Sequence, residues 1–324
     1  MARPVALITT FSKNALPGIL AAIEAGPQPP VADWYVGTYG ISKAMASEIT
    51  ATGCRYAPVF AIQPKTTLRA REKRQVPKDH DSLLDPALAG EIPGKGAVIP
   101  PPPNRRAWGI ELGQRYRDAM RKWRARDVHI DTWQFDEILG QCGSSAGHRE
   151  FVGGILRGLA EGRPQLGDKL EKGFVWSAFT ALRLPGPASS DEVARFWEDL
   201  ARAALFLVGE EFPAFRGNVT TAARERSAGH RRLVGGVHKE LGQKYICGMT
   251  PGWKQPSPGG LQGNVDLKPP AFVTNWRKGF IDARIALERP RGYGQFNFVE
   301  GNARGEHLAD AVASLHFASE QLGP

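Results

Sequence analysis

The chain has 324 residues, 42% of them apolar, so it can bury a large core; its length suits two domains or one large α/β barrel, and disorder over most of it is not expected. With 42 Lys and Arg against 33 Asp and Glu, the formal net charge of +9 favours anionic partners in a general, non-specific way. Three cysteines, Cys54, Cys142 and Cys247, are too few and too scattered for a disulfide framework or a zinc cluster.

The first apolar run breaks at Ser12-Lys13-Asn14, short of a signal peptide's apolar region, and no run approaches a membrane span. A cytoplasmic protein is expected, or a secreted one if a signal peptide has been removed. Residues 5–9 read as a buried strand. The helix after it has Pro17 in its first turn, Ile19, Leu20 and Ile23 on one face, and Gly26 at its end. A second unit follows, with strand and turn over 33–40 and a helix over 42–52 stopped by Gly53. The third strand is 56–62. Residues 63–107 then break the rhythm with Lys65, Arg69, Arg71, Lys73, Arg74 and Lys78, ending in Pro100 to Pro103. This stretch is predicted to be a long basic, Pro-rich insertion, partly flexible.

Trp108, Leu112, Tyr116, Met120 and Trp123 recur at helical spacing. In 128–137, Val128, Ile130 and Thr132 alternate with Asp131, Trp133, Phe135 and Glu137, which predicts a fourth strand. Its mixed polar and aromatic face does not suit an apolar core, so it is expected to open into a site, with Asp131 and Trp133 inward and Glu137 at the rim. Phe151, Val152, Ile155, Leu156 and Leu159 predict a helix, and 174–178 a strand. Ser189-Ser190-Asp191-Glu192 offers a capping box for the helix carrying Val193, Phe196, Trp197 and Leu200. Residues 205–208 form a strand ending at Gly209-Glu210-Glu211. A helix over 221–234, a strand over 245–249, a helix through Trp276, Phe280, Ala283 and Leu287, a strand over 293–298 and a helix through Leu308, Val312 and Leu315 complete the chain.

Eight strands alternating with helices predict an α/β fold with a parallel sheet, closed at this length into a (β/α)8 TIM barrel. The expected organisation is a single barrel domain over 1–324 with the insertion at 63–107 after the third strand. An open doubly wound sheet would be favoured by G-x-G-x-x-G after the first strand, but Thr9-Thr10-Phe11-Ser12-Lys13-Asn14 carries none.

Function in such a barrel sits at the carboxyl ends of the strands. Those ends carry Tyr39, Asp136 and Glu137, Trp176, Glu210 and Glu211, Trp253, and Gln295, Asn297 and Glu300. Paired carboxyls beside flat aromatics suit sugar chemistry: one acid protonates the glycosidic oxygen, a second carboxylate attacks or activates water, and rings stack on sugar faces. The catalytic candidates are Glu137 as general acid, with Asp136 beside it, and Glu210 or Glu211 as partner, Glu300 being the second choice. The substrate-binding candidates are Tyr39, Asp131, Trp133, Trp176, Trp253, Gln295, Asn297 and Glu300. Ordinary roles compete with each: Asp131 as a structural acid paired to an arginine inside the barrel, Asp136 as a helix cap, one of Glu210 and Glu211 as merely solvated, and any tryptophan as core.

With its carboxyls at the fourth strand, in Trp133-Gln134-Phe135-Asp136-Glu137, the chain resembles the TIM-barrel glycoside hydrolases, many of which carry a catalytic acid there. The resemblance is architectural. Where one large clan has Asn-Glu, this chain has Asp136-Glu137, and its seventh strand ends in Thr250 rather than Glu. The chitinase-like pattern D-x-x-D-x-D-x-E is not met. The resemblance implies a carbohydrate substrate, possibly anionic given the net charge, and no cofactor.

Gly143-Ser144-Ser145-Ala146-Gly147 satisfies G-x-S-x-G, the elbow of α/β-type serine hydrolases, with Ser145 as nucleophile and His238 or His307 as base. The residues before it make a poor strand, and a loop of small residues entering a helix is the stronger expectation. A non-catalytic barrel binding carbohydrate or a polyanion is the third alternative. The seven histidines form no H-x-H or H-E-x-x-H pair, so no metal is expected. A Schiff-base role for Lys65 has only a lone lysine behind it. The run from Lys65 to Lys78 lacks interleaved aromatics, so nucleic-acid binding ranks below a solvated arm or an anionic-substrate contact. Asn218-Val219-Thr220 is a glycosylation sequon, relevant only in a secreted eukaryotic chain.

Overall fold

The computed structural model describes residues 3–10, 13–28, 30–38, 41–61, 65–66, 98–99, 105–136, 139, 142–161, 172–178, 184–211, 218–233, 238–249, 270–297 and 305–323. Its strands are β1 (Val5–Thr10), β2 (Asp33–Thr38), β3 (Arg55–Tyr56), β4 (Val59–Ala61), β5 (Lys65–Thr66), β6 (Val98–Ile99), β7 (Gln134–Asp136), β8 (Gly173–Ala178), β9 (Ala204–Glu211), β10 (Tyr245–Met249) and β11 (Gly292–Asn297). Nine pair in the order β3-β2-β1-β11-β10-β9-β8-β7-β4, every pairing parallel. The two ends of this ladder, β3 and β4, are halves of one stretch parted by Ala57-Pro58. The sheet therefore closes on itself, and the fold is the predicted α/β barrel of eight staves.

The third stave changes partner where Pro58 has no N–H to give. Before it, the Ala57 N–H donates to the Val36 carbonyl at 2.9 Å; after it, the Pro58 carbonyl accepts from the Gln134 N–H at 2.9 Å. Of the expected insertion at 63–107, the described part is β5 paired with β6, as Lys65 opposite Val98 and Thr66 opposite Ile99, and residues 105–107, which already belong to a helix.

The helices are α1 (Leu16–Glu24), α2 (Lys43–Ala51), α3 (Arg105–Arg124), α4 (Ala146–Ala160), α5 (Asp191–Ala203), α6 (Val219–Arg232), α7 (Lys239–Gln243), α8 (Pro270–Glu288) and α9 (Gly305–Leu322). Pro17 lies in the first turn of α1 as the sequence predicts. The cap of α5 is Ser190, whose Oγ accepts from the Val193 N–H. Glu192 is thereby one residue short of the reciprocal capping position, and its carboxylate receives Arg149 of α4 instead, at 2.9 Å. The α3–α4 contact is made of glycines: a Cβ on Gly113 would lie 2.2 Å from the Ile155 carbonyl oxygen, and one on Gly158 2.1 Å from that of Ile110. Backbone meets backbone there, which no larger residue permits.

Two apolar layers result. Between sheet and helices lie Ala6, Ile8, Trp34, Val36, Trp123, Trp133, Phe135, Phe151, Val175 and Leu207 among many others. Inside the barrel lie Val5, Leu7, Tyr35, Ala57, Val59, Phe174, Trp176, Val208 and Ile246. Tyr35 meets Phe174 edge-on at 4.9 Å, and Phe174 meets Phe206 at 5.3 Å. At the amino-terminal end, Arg55 lies over the Tyr35 ring and donates to its hydroxyl at 2.5 Å, closing that end with polar groups. Burial pushes the Tyr35 hydroxyl's pKa up. Behind β10, His230 places its ring nitrogens 3.1 Å from a Glu288 carboxylate oxygen and 3.0 Å from the Gly242 carbonyl, while Arg284 donates to Glu288 and to the Cys247 sulfur. This buried network ties α6 and α8 to the sheet.

The predicted fourth strand needs correction. Among the described residues 128–136, only Gln134–Asp136 is strand. The chain bends at Asp131, where the N–H groups of Asp131 and Thr132 both donate to the Tyr56 carbonyl at 3.0 and 3.3 Å. The alternation changes phase there: Val128 and Ile130 are buried outside the sheet, and so are Trp133 and Phe135. Gln134, not Trp133, reaches the interior.

Candidate functional site at the barrel mouth

Gln134 is fully buried and has interior partners on three staves. Its Oε1 accepts from the Thr9 hydroxyl of β1 at 2.9 Å and from the Trp176 indole N–H of β8 at 2.7 Å. Its Nε2 donates to the Ala57 carbonyl at 2.8 Å, between β3 and β4. A buried carboxamide is costly unless bonded, and here both acceptor directions and one N–H are used.

The opposite wall makes room for these side chains. A Cβ on Gly37 of β2 would fall 2.0 Å from Gln134 Nε2. On Gly248 of β10 it would meet the Trp176 ring at 3.1 Å and the Gly209 carbonyl oxygen at 2.7 Å, and on Gly294 of β11 it would touch the ring at 3.5 Å. Trp176 thus lies across the barrel from β8 toward β10 and β11. Gln134, Trp176 and Thr9 form a hydrogen-bonded floor, and the strand ends beyond it face the mouth.

The predicted site residues fall into four groups. Tyr39, Glu137, Trp253 and Glu300 lie outside the described residues. For Asp136, Glu210, Glu211, Gln295 and Asn297 the backbone position is known: Asp136 pairs with Ala61, Glu210 with Ala178 and Gly248, Glu211 with Met249, Gln295 with Ile8 and Met249, and Asn297 with Thr10. These are the carboxyl ends of β7, β9 and β11.

Asp131 is at the other end of the barrel. Its Oδ2 accepts from the Tyr56 N–H at 2.8 Å, and its Oδ1 is 3.5 Å from His129 Nε2. It holds the start of the third stave against the segment entering β7, a structural role made through a backbone N–H and His129 where an arginine partner was the expected alternative. Trp133 packs outside the sheet on Phe135, with ring centres 4.9 Å apart, and fills the space that Gly173 leaves. Trp176 alone of the described aromatic candidates is inside, and its fully buried ring is part of the floor.

The α/β-hydrolase alternative does not survive the fold. An elbow needs a strand running straight into the nucleophile at the top of an open sheet. Ser145 instead follows a turn and caps α4, its Oγ accepting from the His148 N–H at 3.3 Å and lying 2.8 Å from His148 Nδ1. Of its expected bases, His238 caps α7 and stacks on Trp197 at 5.5 Å, with burial pushing its pKa down. The His307 side chain lies outside the described residues. Lys65 belongs to the separate β5–β6 pair rather than to the ladder, and its side chain is also outside the description.

Sequence patterning missed Gln134 and Thr9. Thr9 lies in 5–9, which read as a buried strand, and a period of two over 128–137 puts Gln134 on the face of Val128 and Ile130, away from the expected site. The available signal was a lone amide between two aromatics, matched by Gly37, Gly248 and Gly294 inside other strands, where glycine marks close approach.

No described helix is long and apolar enough to cross a membrane, and among the described residues no group of three or more His, Cys, Asp or Glu is placed to hold a metal ion. No protein-family model matches the chain, and no curated protein does. Solved structures do: a GH5-4 broad specificity endoglucanase from an uncultured bacterium, at 10% identity over 93% of this chain and 84% of that one, has a TM-score of 0.45. A GH18 chitinase from Pseudoalteromonas aurantia, at 11% identity, covers 96% of this chain and 100% of its own with a TM-score of 0.51, and the likeness is one of fold.

Proposed function

We propose that the protein hydrolyses or transfers glycosidic bonds at the mouth of the barrel, with Asp136 and Glu210 as its carboxyl pair. The register of the interior carries this reading. Gln134 and Val208 both belong to the inside of the barrel. Two residues further along the same strands the sequence has Asp136 and Glu210, and alternate residues of a strand share a face. Glu137 and Glu211 fall on the other count, that of Phe135 and Leu207, which pack against the helices. The general acid is therefore assigned to Asp136 or Glu210 rather than to Glu137.

The strands carrying the pair are separated by β8 alone, so their backbones stand ~10 Å apart by ordinary strand spacing. Within that span Asp and Glu side chains can bring their carboxyls to the roughly 5 to 9.5 Å at which paired carboxyls cleave glycosides. One carboxyl protonates the leaving oxygen, and the other attacks the sugar or activates water.

The substrate is a carbohydrate, and the chitinase likeness does not name it. Laid from Asp131, the pattern D-x-x-D-x-D-x-E finds Asp131 and Asp136, but Gln134 and Ile138 at its other two positions. Tyr39, Trp253 and Glu300 remain the proposed substrate contacts. Gln295 and Asn297 share the count of Tyr293, which lies in the helix-side layer, and are not included.

The test is product release from a panel of aryl glycosides and of neutral and acidic oligosaccharides. D136N and E210Q should each lower kcat by about 10²-fold or more while melting like the wild type, whereas E137Q and E211Q should stay active. A folded, fully active D136N would refute the pair. Saturable oligosaccharide binding without product would reassign the protein as a carbohydrate-binding barrel.

A further inference from the structure

We infer that Gln134 is a positioning residue for this reaction, resting on the reading above: its carboxamide sets the end of β7, and with it Asp136, against β1, β8 and the third stave. Filling space does not require an amide. The neighbouring interior side chains Leu7, Val59, Val208 and Ile246 are all apolar, and a methionine has nearly the same volume as glutamine. What the amide adds is three directed bonds. Oε1 gathers the Thr9 hydroxyl at 2.9 Å and the Trp176 N–H at 2.7 Å, and Nε2 holds the Ala57 carbonyl at 2.8 Å.

Those anchors surround the proposed pair from below. Gln134 is two residues before Asp136. Trp176 is paired with Val208, two residues before Glu210. A shift or rotation of β7 must break at least one of the three bonds, so the amide limits how the two strand ends can move relative to each other. Positioning of this kind is worth large factors in rate, since a displacement near 1 Å can cost about 10²-fold.

Three near-isosteric variants test it: T9V removes one bond to Oε1, Q134M removes all three, and Q134E keeps the shape. In Q134E one oxygen can still accept from Thr9 and Trp176, but the other faces the Ala57 carbonyl and restores the third bond only when the carboxyl is protonated. The measurements are kcat, KM and the pH profile of the best wild-type substrate, with melting to identify folded variants. In T9V turnover should fall by about 10-fold or more while KM stays within about threefold. The activity of Q134E should rise relative to the wild type as pH is lowered. Q134M should fall further; if it fails to fold, T9V and Q134E decide.

Folded T9V and Q134E with wild-type turnover and an unaltered pH profile would overturn the assignment. If D136N is inactive in the same series, the glycosidase reading stands and only the role of Gln134 falls. A wild type that releases no product from the panel overturns both.

Discussion

Removing Arg106 from its pair with Asp199 should destabilise the fold in a pH-dependent way. Asp199 of α5 is 2% exposed and receives a two-pronged bond from the Arg106 guanidinium of α3, at 2.6 and 3.0 Å. The pair passes over α4 at Gly153, where a Cβ would lie 3.0 Å from an Asp199 oxygen. Burial pushes the Asp199 carboxyl above its ordinary range, against the pull of Arg106. A carboxyl raised on folding binds its proton more tightly in the native state, so stability falls as pH climbs from the unfolded value to the raised one and is level above it. In R106L the strongest downward pull is gone and that interval extends upward. Severing a buried pair costs about 3 to 5 kcal/mol; because Arg106 keeps 32% exposure, the lower end, about 3 kcal/mol at pH 7, is expected. Near pH 4 the uncompensated charge is neutralised, leaving a deficit of about 1 kcal/mol. Urea denaturation at both pH values reads the difference. D199N added to R106L should restore about 1 to 2 kcal/mol at pH 7 and nothing at pH 4. Equal deficits at the two pH values would refute the reasoning.

G113A should cost about 2 to 4 kcal/mol in chemical denaturation, because its Cβ meets the Ile155 carbonyl oxygen at 2.2 Å and two backbones must part. G18A, with nothing within 4 Å, should be neutral or stabilising, and matching effects would discount the α3–α4 contact. D131A should cost about 1 to 3 kcal/mol by leaving the Tyr56 N–H without its acceptor, and unchanged stability would count against the clamp. All three thiols are buried, with burial pushing the Cys54 and Cys142 thiols up in pKa. A disulfide reagent should modify them only as the chain unfolds, and fast reaction of any one in the native protein would contradict this burial.

The fold was readable because its signals are local. Pro17 opens α1, Gly53 ends the second unit, and the stretch at 245–249 forms the strand its apolar run predicts. Alternation of strands and helices sufficed for a parallel barrel, since few arrangements cover both faces of such a sheet. Eight units at this length predict closure, but not how it is made. It depends on the third stave changing partners at Pro58, and 56–62 read as one unbroken strand. The Gly-to-backbone packing of α3 on α4 was equally hidden, because each pair of glycines has meaning only against the other helix.

The strand ends that carry the proposed site were readable in the sequence, but their register was not. Asp136 is the last residue of β7, and Glu210 and Glu211 are the last two of β9, so strand counting put these residues at the right strand ends. Which of each pair belongs to the interior depends on a phase that 128–137 does not carry by itself. Two hydrogen bonds to the Tyr56 carbonyl bend the chain at Asp131, and the partner that imposes the bend is 75 residues away in sequence. Past the bend Gln134 takes the interior while Trp133 and Phe135 pack outside, so a period counted from Val128 is inverted there. One acid thereby became a clamp at the far end of the barrel, one tryptophan became outer core, and the proposed acid at the fourth stave moved from Glu137 to its neighbour Asp136. The amide that looked incidental between Trp133 and Phe135 is what reports the change, because it is the first side chain after the bend with partners inside the barrel.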